Sequence, residues 1–398
     1  MKDLADRIKN LGTENAFVVL KEVNELKAQG KDIKNFCIGQ PDFPTPKNVC
    51  EAAKDAIDKG FHGYTPSPGI PELRKAAAKY FSETRGIKIE PDWVVVGCGG
   101  KPFISHSIFC TTEYGKGHEV IFPNPGFPIY ESMIRGNGAV PVPLYLRESK
   151  AFNFDIDELR AKITDKTRLL ILNSPQNPTG GVLSRAEMAE IAQICQKHDI
   201  WVYADEVYSQ MVYDGAFESI SNHPGMLDRT ILVDCASKTY AMTGWRIGYM
   251  ANRLLAPFVS TLITNTDSCA PHPCQKAVAA ALEGSQDSVR KMAQTFKERR
   301  EVIVSGLNQV PGFKCLKPGG AFYVWPNVTE ACKMVGVKDS EEFRKLLLHE
   351  AGVAVLADIH FGPRVPDEGQ HIRFSYASST EDIKEGIARV QKLMGAKR

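Results

Sequence analysis

Ala236-Ser237-Lys238-Thr239-Tyr240-Ala241-Met242-Thr243-Gly244-Trp245-Arg246-Ile247-Gly248 is the stretch around which the rest of the chain can be read. It follows Thr230-Ile231-Leu232-Val233-Asp234, a short apolar run that reads as a buried strand. A lysine at the end of a buried strand is unusual, because burying an ammonium is costly. Chemistry supplies a reason for one there. A desolvated lysine near another cation gives up its proton more readily and can form a Schiff base with an aldehyde. Arg246 is a candidate for that cation, or for the group that holds an anion in the site. Taken alone, these residues also fit a solvated surface loop.

Upstream, apolar runs end at chemically useful residues. Trp93-Val94-Val95-Val96 reads as a strand and leads into Gly97-Cys98-Gly99-Gly100-Lys101, which opens a helix. Glycines between a strand and a helix let backbone N–H groups approach a phosphate. Further strands are expected at Glu119–Phe122, Ala139–Val142, Arg168–Leu172 and Trp201–Ala204. Ser184 with Glu187 forms a capping-box pattern before a helix running to Lys197. Strands alternating with helices over 93–250 predict an α/β fold, a mostly parallel sheet with helices on both faces. Such sheets place ligands beyond the C-terminal ends of their strands. Asn177, Asp205 and Lys238 each follow such an end, so one pocket can collect all three.

Six motifs, in order, resemble those of the class I aminotransferases, enzymes of fold type I that hold pyridoxal 5′-phosphate (PLP). They are Gly39-Gln40-Pro41-Asp42-Phe43, Gly63-Tyr64-Thr65-Pro66-Ser67-Pro68-Gly69, Asn173-Ser174-Pro175-Gln176-Asn177-Pro178-Thr179-Gly180, Asp205-Glu206-Val207-Tyr208, the Lys238 stretch, and Arg373-Phe374-Ser375-Tyr376. The resemblance implies that Lys238 carries the cofactor and then acts as the base. It implies that Asp205 pairs with the pyridine nitrogen, and that Tyr208 and Asn177 bond the phenolic oxygen. Phe127 would stack on the ring, and Gly99, Gly100 and Arg246 would hold the phosphate. Tyr64 would reach the partner subunit's phosphate in a homodimer. Arg373 would grip the substrate α-carboxylate, with the backbone at Gly39 nearby; Phe127 and Asn177 would also face the substrate. Family members often have Ser where Cys235 stands, and a thiol is a weaker donor. Ser237 remains as a phosphate contact. The Ser174-Pro175 and Asn177-Pro178 bonds are candidates for the cis form.

The remaining sequence limits the alternatives. The chain has 398 residues, a net charge of +2, 43% hydrophobic and 24% charged residues, which suits a globular enzyme of two domains and gives no basis for nucleic-acid or membrane partners. No apolar run approaches the roughly 18 residues of a membrane span, and the charged N-terminus leads into no signal-type apolar core. Ten cysteines without a CxxC pair predict reduced thiols in a cytoplasm and no metal site. A helix over 14–29, a strand at Phe36-Cys37-Ile38 and helices over 47–59 and 71–84 are expected near the start. From about 285 come a long helix, a strand at Ala321–Trp325, and a closing helix with Ile383, Ile387, Val390 and Leu393 on one face. The resemblance divides the chain into a large PLP-binding domain, 46–285, and a discontinuous small domain, 1–45 with 286–398.

The expected reaction moves an amino group between an L-amino acid and a 2-oxo acid such as 2-oxoglutarate. No Arg lies between Arg253 and Arg290 to receive a distal carboxylate. Lys101 takes that place by resemblance to bacterial aspartate aminotransferases with a GGK turn, which favours aspartate or glutamate; it could instead neutralise the cofactor phosphate. Neutral or aromatic donors, or a C–S lyase reaction on the same fold, are the alternatives. A PLP-binding module of a transcription regulator would need a DNA-binding domain, for which the residues before the motifs are too few.

Overall fold

A computed structural model describes residues 3–9 and 11–396. Its centre is a seven-stranded sheet in the order Val94–Gly97, Gly248–Ala251, Thr230–Cys235, Trp201–Asp205, Thr167–Asn173, Glu119–Asn124, Val140–Tyr145. Every neighbouring pair from Thr230–Cys235 to Val140–Tyr145 is parallel. Gly248–Ala251 alone runs against both of its neighbours. Residues 236–247 explain the reversal. They form the short helix Ala236–Thr239 and the 3₁₀ turn Thr243–Trp245. They make no helical crossover of the kind a parallel return requires.

Both faces of this sheet are covered, as a parallel sheet demands. Along its strands Val94, Val96, Ile121, Leu170, Leu172, Val202 and Leu232 belong to one core. The alternating Val95, Val120, Phe122, Leu169, Ile171, Tyr203, Ile231 and Val233 belong to another. The two-residue period of a strand sends successive side chains to opposite layers. Each buried aliphatic contributes about 1.5–3 kcal/mol relative to exposure. The Ser184–Glu187 capping box is present, opening Arg185–Lys197.

Two smaller sheets use segments from both ends of the chain. Lys34–Asn35 pairs in parallel with Val353–Ala354. Leu356–Ala357, Ile372–Ser375 and Tyr323–Val324 form an antiparallel sheet. The expected strand at 36–38 lies two residues earlier. Phe36 still bonds Ala354 and Ser375 through its backbone. The Asn35 side chain then accepts from the Cys37 N–H at 3.0 Å, and the chain leaves the sheet towards Gly39. Asp287–Leu307 buries Val289, Met292, Phe296, Ile303 and Leu307, and Val302 packs partly buried against the same core. On Thr380–Ala396 the expected Ile383, Ile387 and Val390 are buried and Leu393 packs partly buried against the same core, with Met394 fully buried beside it. Ser174-Pro175 and Asn177-Pro178 are cis, as is Asn124-Pro125, which sequence reading missed.

Beneath the strand ends lies an ion network. The fully buried Arg85 donates to Glu206 at 2.9 Å and to Asp234 at 2.8 Å. Ser219 donates to Glu206 at 2.6 Å, and Tyr80 to Asp234 at 3.2 Å. Burial pushes both carboxyls upward in pKa, and Arg85 opposes this. Glu206 is next in sequence to Asp205, and Asp234 is the last residue but one of the strand before Lys238, so the network fixes both strand ends. Arg85→Leu leaves two buried carboxylates without their cation. It is expected to destabilise the fold by about 3–5 kcal/mol, read as a lowered midpoint in urea unfolding.

Candidate active site

The C-terminal ends of Thr167–Asn173, Trp201–Asp205 and Thr230–Cys235 open onto a cavity of about 460 Å³. Asn177, Asp205, Tyr208, Ser237 and Lys238 all line it, with Gly100, Lys101 and Phe127 from the glycine turn and the loop after Glu119–Asn124. Gly39, Arg246 and Arg373 complete the expected set on this cavity.

Lys238 donates from Nζ to the Gly39 carbonyl at 2.5 Å. Burial lowers its pKa, and Arg373 and Lys101 lower it further, against Cys235 and Glu14. The assisting cations are therefore Arg373 and Lys101. Arg246, the candidate from sequence, sits exposed at the cavity edge and bonds the carbonyls of Thr243 at 2.9 Å and Cys98 at 3.3 Å. Gly99 permits this. A Cβ there would stand 2.1 Å from the Arg246 Nη2, and its φ of +90° also favours glycine. Gly99 itself is a neighbour of Arg246 and not part of the cavity wall.

Asp205 is buried, and burial raises its pKa from 3.8 to about 6 against the hydrogen bond from Tyr130. Tyr130 donates to its Oδ2 at 2.6 Å, whereas Oδ1 has no hydrogen-bond partner. Tyr208 and Tyr323 share a hydroxyl–hydroxyl hydrogen bond of 2.8 Å. Burial drives the Tyr208 phenol well above its usual pKa, with Tyr323 adding to the shift. Arg373 donates to Asn177 Oδ1 at 2.8 Å and to the Cys37 carbonyl at 2.7 Å. Its guanidinium lies 4.4 Å from the Tyr323 ring centre and 4.8 Å from that of Phe361. Gly39 packs so closely on Tyr323 that a Cβ would stand 2.3 Å from its hydroxyl.

Among the cavity residues that sequence reading missed are four polar ones. Tyr130 follows Phe127 on the next turn and reads as helix filler; Tyr323 sits in an apolar strand; Asn173 is the last strand residue; Glu14 precedes the first long helix. Nothing in their spacing marks them as site residues. Cys235, noted from sequence as a departure, does line the cavity. Tyr64 does not: it is 90% exposed and lies outside the cavity of its own chain.

A lysine whose proton is loosened, a buried carboxylate with one free oxygen and two arginines around one cavity define a site for an anionic, amine-reactive cofactor. The chain belongs to the family described as aminotransferase class I and II, whose model matches residues 31–390. Among curated relatives it is 38% identical to the asparagine–oxo-acid transaminase of Streptococcus mutans over 99% of this chain and all of that one. It is 36% identical to the aspartate aminotransferase of Bacillus sp. strain YM-2, with the same coverage of both chains. The solved aspartate aminotransferase from Rhizobium meliloti superposes with a TM-score of 0.92 at 32% identity, covering 99% of each chain. The protein is a PLP-dependent aminotransferase, acting on an amino acid and a 2-oxo acid. The site fits PLP on its own terms: the unpartnered Asp205 Oδ1 suits a protonated ring nitrogen.

The raised Asp205 pKa has a stability consequence. Between about pH 4 and pH 6 the cofactor-free folded state binds more protons at this residue than the unfolded chain does. Stability therefore falls as pH rises through that window, and the penalty, on the order of 3 kcal/mol, is full above it. Cofactor-free Asp205→Asn should melt at a higher temperature than the parent at pH 7.5, and the gap should close near pH 4. The same variant should bind PLP more weakly.

Proposed function

We propose that Lys238 would hold PLP through its ε-amine and that Asp205 would pair with the ring nitrogen. Tyr208 and Asn177 would bond the phenolic oxygen and Phe127 would stack on the ring. Gly99, Gly100, Ser237 and Arg246 would hold the phosphate. The observation that carries this is the convergence, in one cavity, of the Lys238 amine, the free Asp205 Oδ1 and Arg373 with donors to spare. When bound, PLP supplies an electron sink that makes the substrate Cα proton acidic. The chain's residues do the rest. Lys238, released from its bond and with its proton affinity lowered by burial, would take the proton from Cα and deliver it to the cofactor-side carbon, a task worth about 10²–10⁴-fold. Arg373 has five N–H donors, of which Asn177 and Cys37 engage two. The others can take the α-carboxylate, and the rings of Tyr323 and Phe361 fix the guanidinium plane.

On a first reading, from Lys101 alone, the donor is an acidic amino acid, aspartate or glutamate, with 2-oxoglutarate as a fitting acceptor. Lys101 offers a second cation in the same cavity as Arg373, and a relative named aspartate aminotransferase supports the choice. A second reading has a specific observation behind it. The Glu14 carboxylate already contacts Lys101, which suits a donor whose side chain ends without charge.

The chain would divide into a large domain, 46–285, and a small one, 1–45 with 286–398; the sheets built from both chain ends support this. It would act as a homodimer with Tyr64 serving the partner's site, which accounts for a 90% exposed aromatic in a Pro/Gly loop. Ten free thiols fit a reducing cytoplasm. Among the described residues no helix is long and apolar enough to cross a membrane.

Two experiments test this reading. Borohydride reduction of the loaded enzyme followed by peptide mapping should place the adduct on Lys238, and Lys238→Ala should lose turnover. An adduct on another lysine overturns the assignment. For the dimer, Lys238→Ala chains mixed with Tyr64→Phe chains should form hybrids with one doubly defective site and one intact site. Activity should then exceed that of either parent preparation averaged. A fully active monomer in sedimentation would contradict the shared site.

A further inference from the structure

Glu14 stands at the N-terminal boundary of the helix Asn15–Ala28, where a side chain would ordinarily cap the first turn, yet it makes no capping bond. Its carboxylate contacts the Lys101 ammonium instead. The same ammonium lies 5.4 Å from the Phe127 ring centre and 5.6 Å from that of Phe17. All three partners line the cavity that holds Lys238 and Arg373. The Glu14 side chain is only 23% exposed and that of Lys101 44%, so a ligand that fills the cavity would cover a pair already half out of water. Glu14 also acts on Lys238, where its charge opposes the lowering of the pKa by burial.

We infer that Glu14 is a specificity-determining residue that makes the distal end of the donor pocket a site for an ω-carboxamide side chain. This rests on the proposed placement of Arg373 at the α-carboxylate and Lys101 at the far end of the donor. Lys101 and Glu14 together carry no net charge. A distal carboxylate entering there must share one ammonium with a second carboxylate, and like charges brought together in a site are costly. An apolar side chain covers the ion pair without replacing the hydrogen bonds to water that it displaces, and this cost is not recovered. A carboxamide meets both partners. Its carbonyl oxygen accepts from the Lys101 ammonium, and its NH₂ donates to the Glu14 carboxylate. Hydrogen bonds to charged groups are the stronger kind. The rings of Phe17 and Phe127 flank the ammonium and limit where it can move.

The test uses the PLP-loaded enzyme and two unreactive ligands of the same length, succinate and its monoamide succinamate. Binding is read by calorimetry and by the shift in cofactor absorbance. Succinamate is expected to bind at least about tenfold more tightly than succinate. Glu14→Gln should free Lys101 and reverse the order. The kcat/KM ratio of asparagine to aspartate should follow the same reversal. Each comparison is a ratio within one preparation, so a partly unfolded variant does not imitate the result. Tighter succinate binding by the parent enzyme, or a ratio that Glu14→Gln leaves unchanged, overturns the role of Glu14 while leaving Lys101 as the distal contact. Weak binding of both ligands, with efficient turnover of phenylalanine or leucine, overturns the placement of Lys101 as well, and the inference falls with it.

Discussion

Desolvated charge at the ends of buried strands is the constraint on which this structure depends. The sheet ends deliver Asp205 and Lys238 into a cavity where each pays for its burial in a shifted proton affinity. Asp205 retains one oxygen without a partner, and Lys238 has only a carbonyl to bond. These groups are held in place for a ligand that is cationic at one point and amine-reactive at another. Folding alone would favour neutral side chains at both positions, so the site is kept at the expense of stability.

The scaffold carries that expense through a second layer of charge. Arg85 joins Glu206, the neighbour of Asp205, and Asp234, four residues before Lys238. The guanidinium is planar and can serve two carboxylates at once, which an ammonium does less well. Strand geometry then converts this local pairing into a fixed spacing between Asp205 and the Lys238 turn. On the opposite wall, Tyr323 works in several directions. Its hydroxyl meets Tyr208, its ring lies on Arg373, and Gly39 comes close enough that no Cβ could fit. Segments from the beginning, middle and end of the chain thus meet at one aromatic ring.

In the proposed reading, reaction and selectivity fall to different parts of the cavity. Arg373 and Lys238 would meet the α-carboxylate and Cα that every α-amino acid shares, and Asp205 the cofactor ring. Lys101 and Glu14, which form an ion pair on the cavity wall, would meet the part that differs between amino acids. Substitution at Glu14 would also remove a charge that opposes the lowering of the Lys238 pKa.

The sequence by itself determined the parallel sheet and most of the site. Apolar runs of strand length, each ending at Asn177, Asp205 or Lys238, make that reading possible because strand ends and ligand sites coincide in such sheets. Gly99 was legible for the same reason, since a glycine between strand and helix announces a close approach; its partner proved to be Arg246. Tertiary structure decided the rest. Gly248–Ala251 runs antiparallel because the Lys238 turn occupies the residues a crossover would need. Packing also buried Ile303 and Met394 on the long helices, beside Val302 and Leu393 at the edge of the same core. Tyr130, Tyr323 and Glu14 carry no local mark of function. A tyrosine in a helix, a tyrosine in a strand and a glutamate before a helix are ordinary until folding brings them to Asp205, Arg373 and Lys101, across 75 residues for Tyr130 and Asp205 and 87 for Glu14 and Lys101.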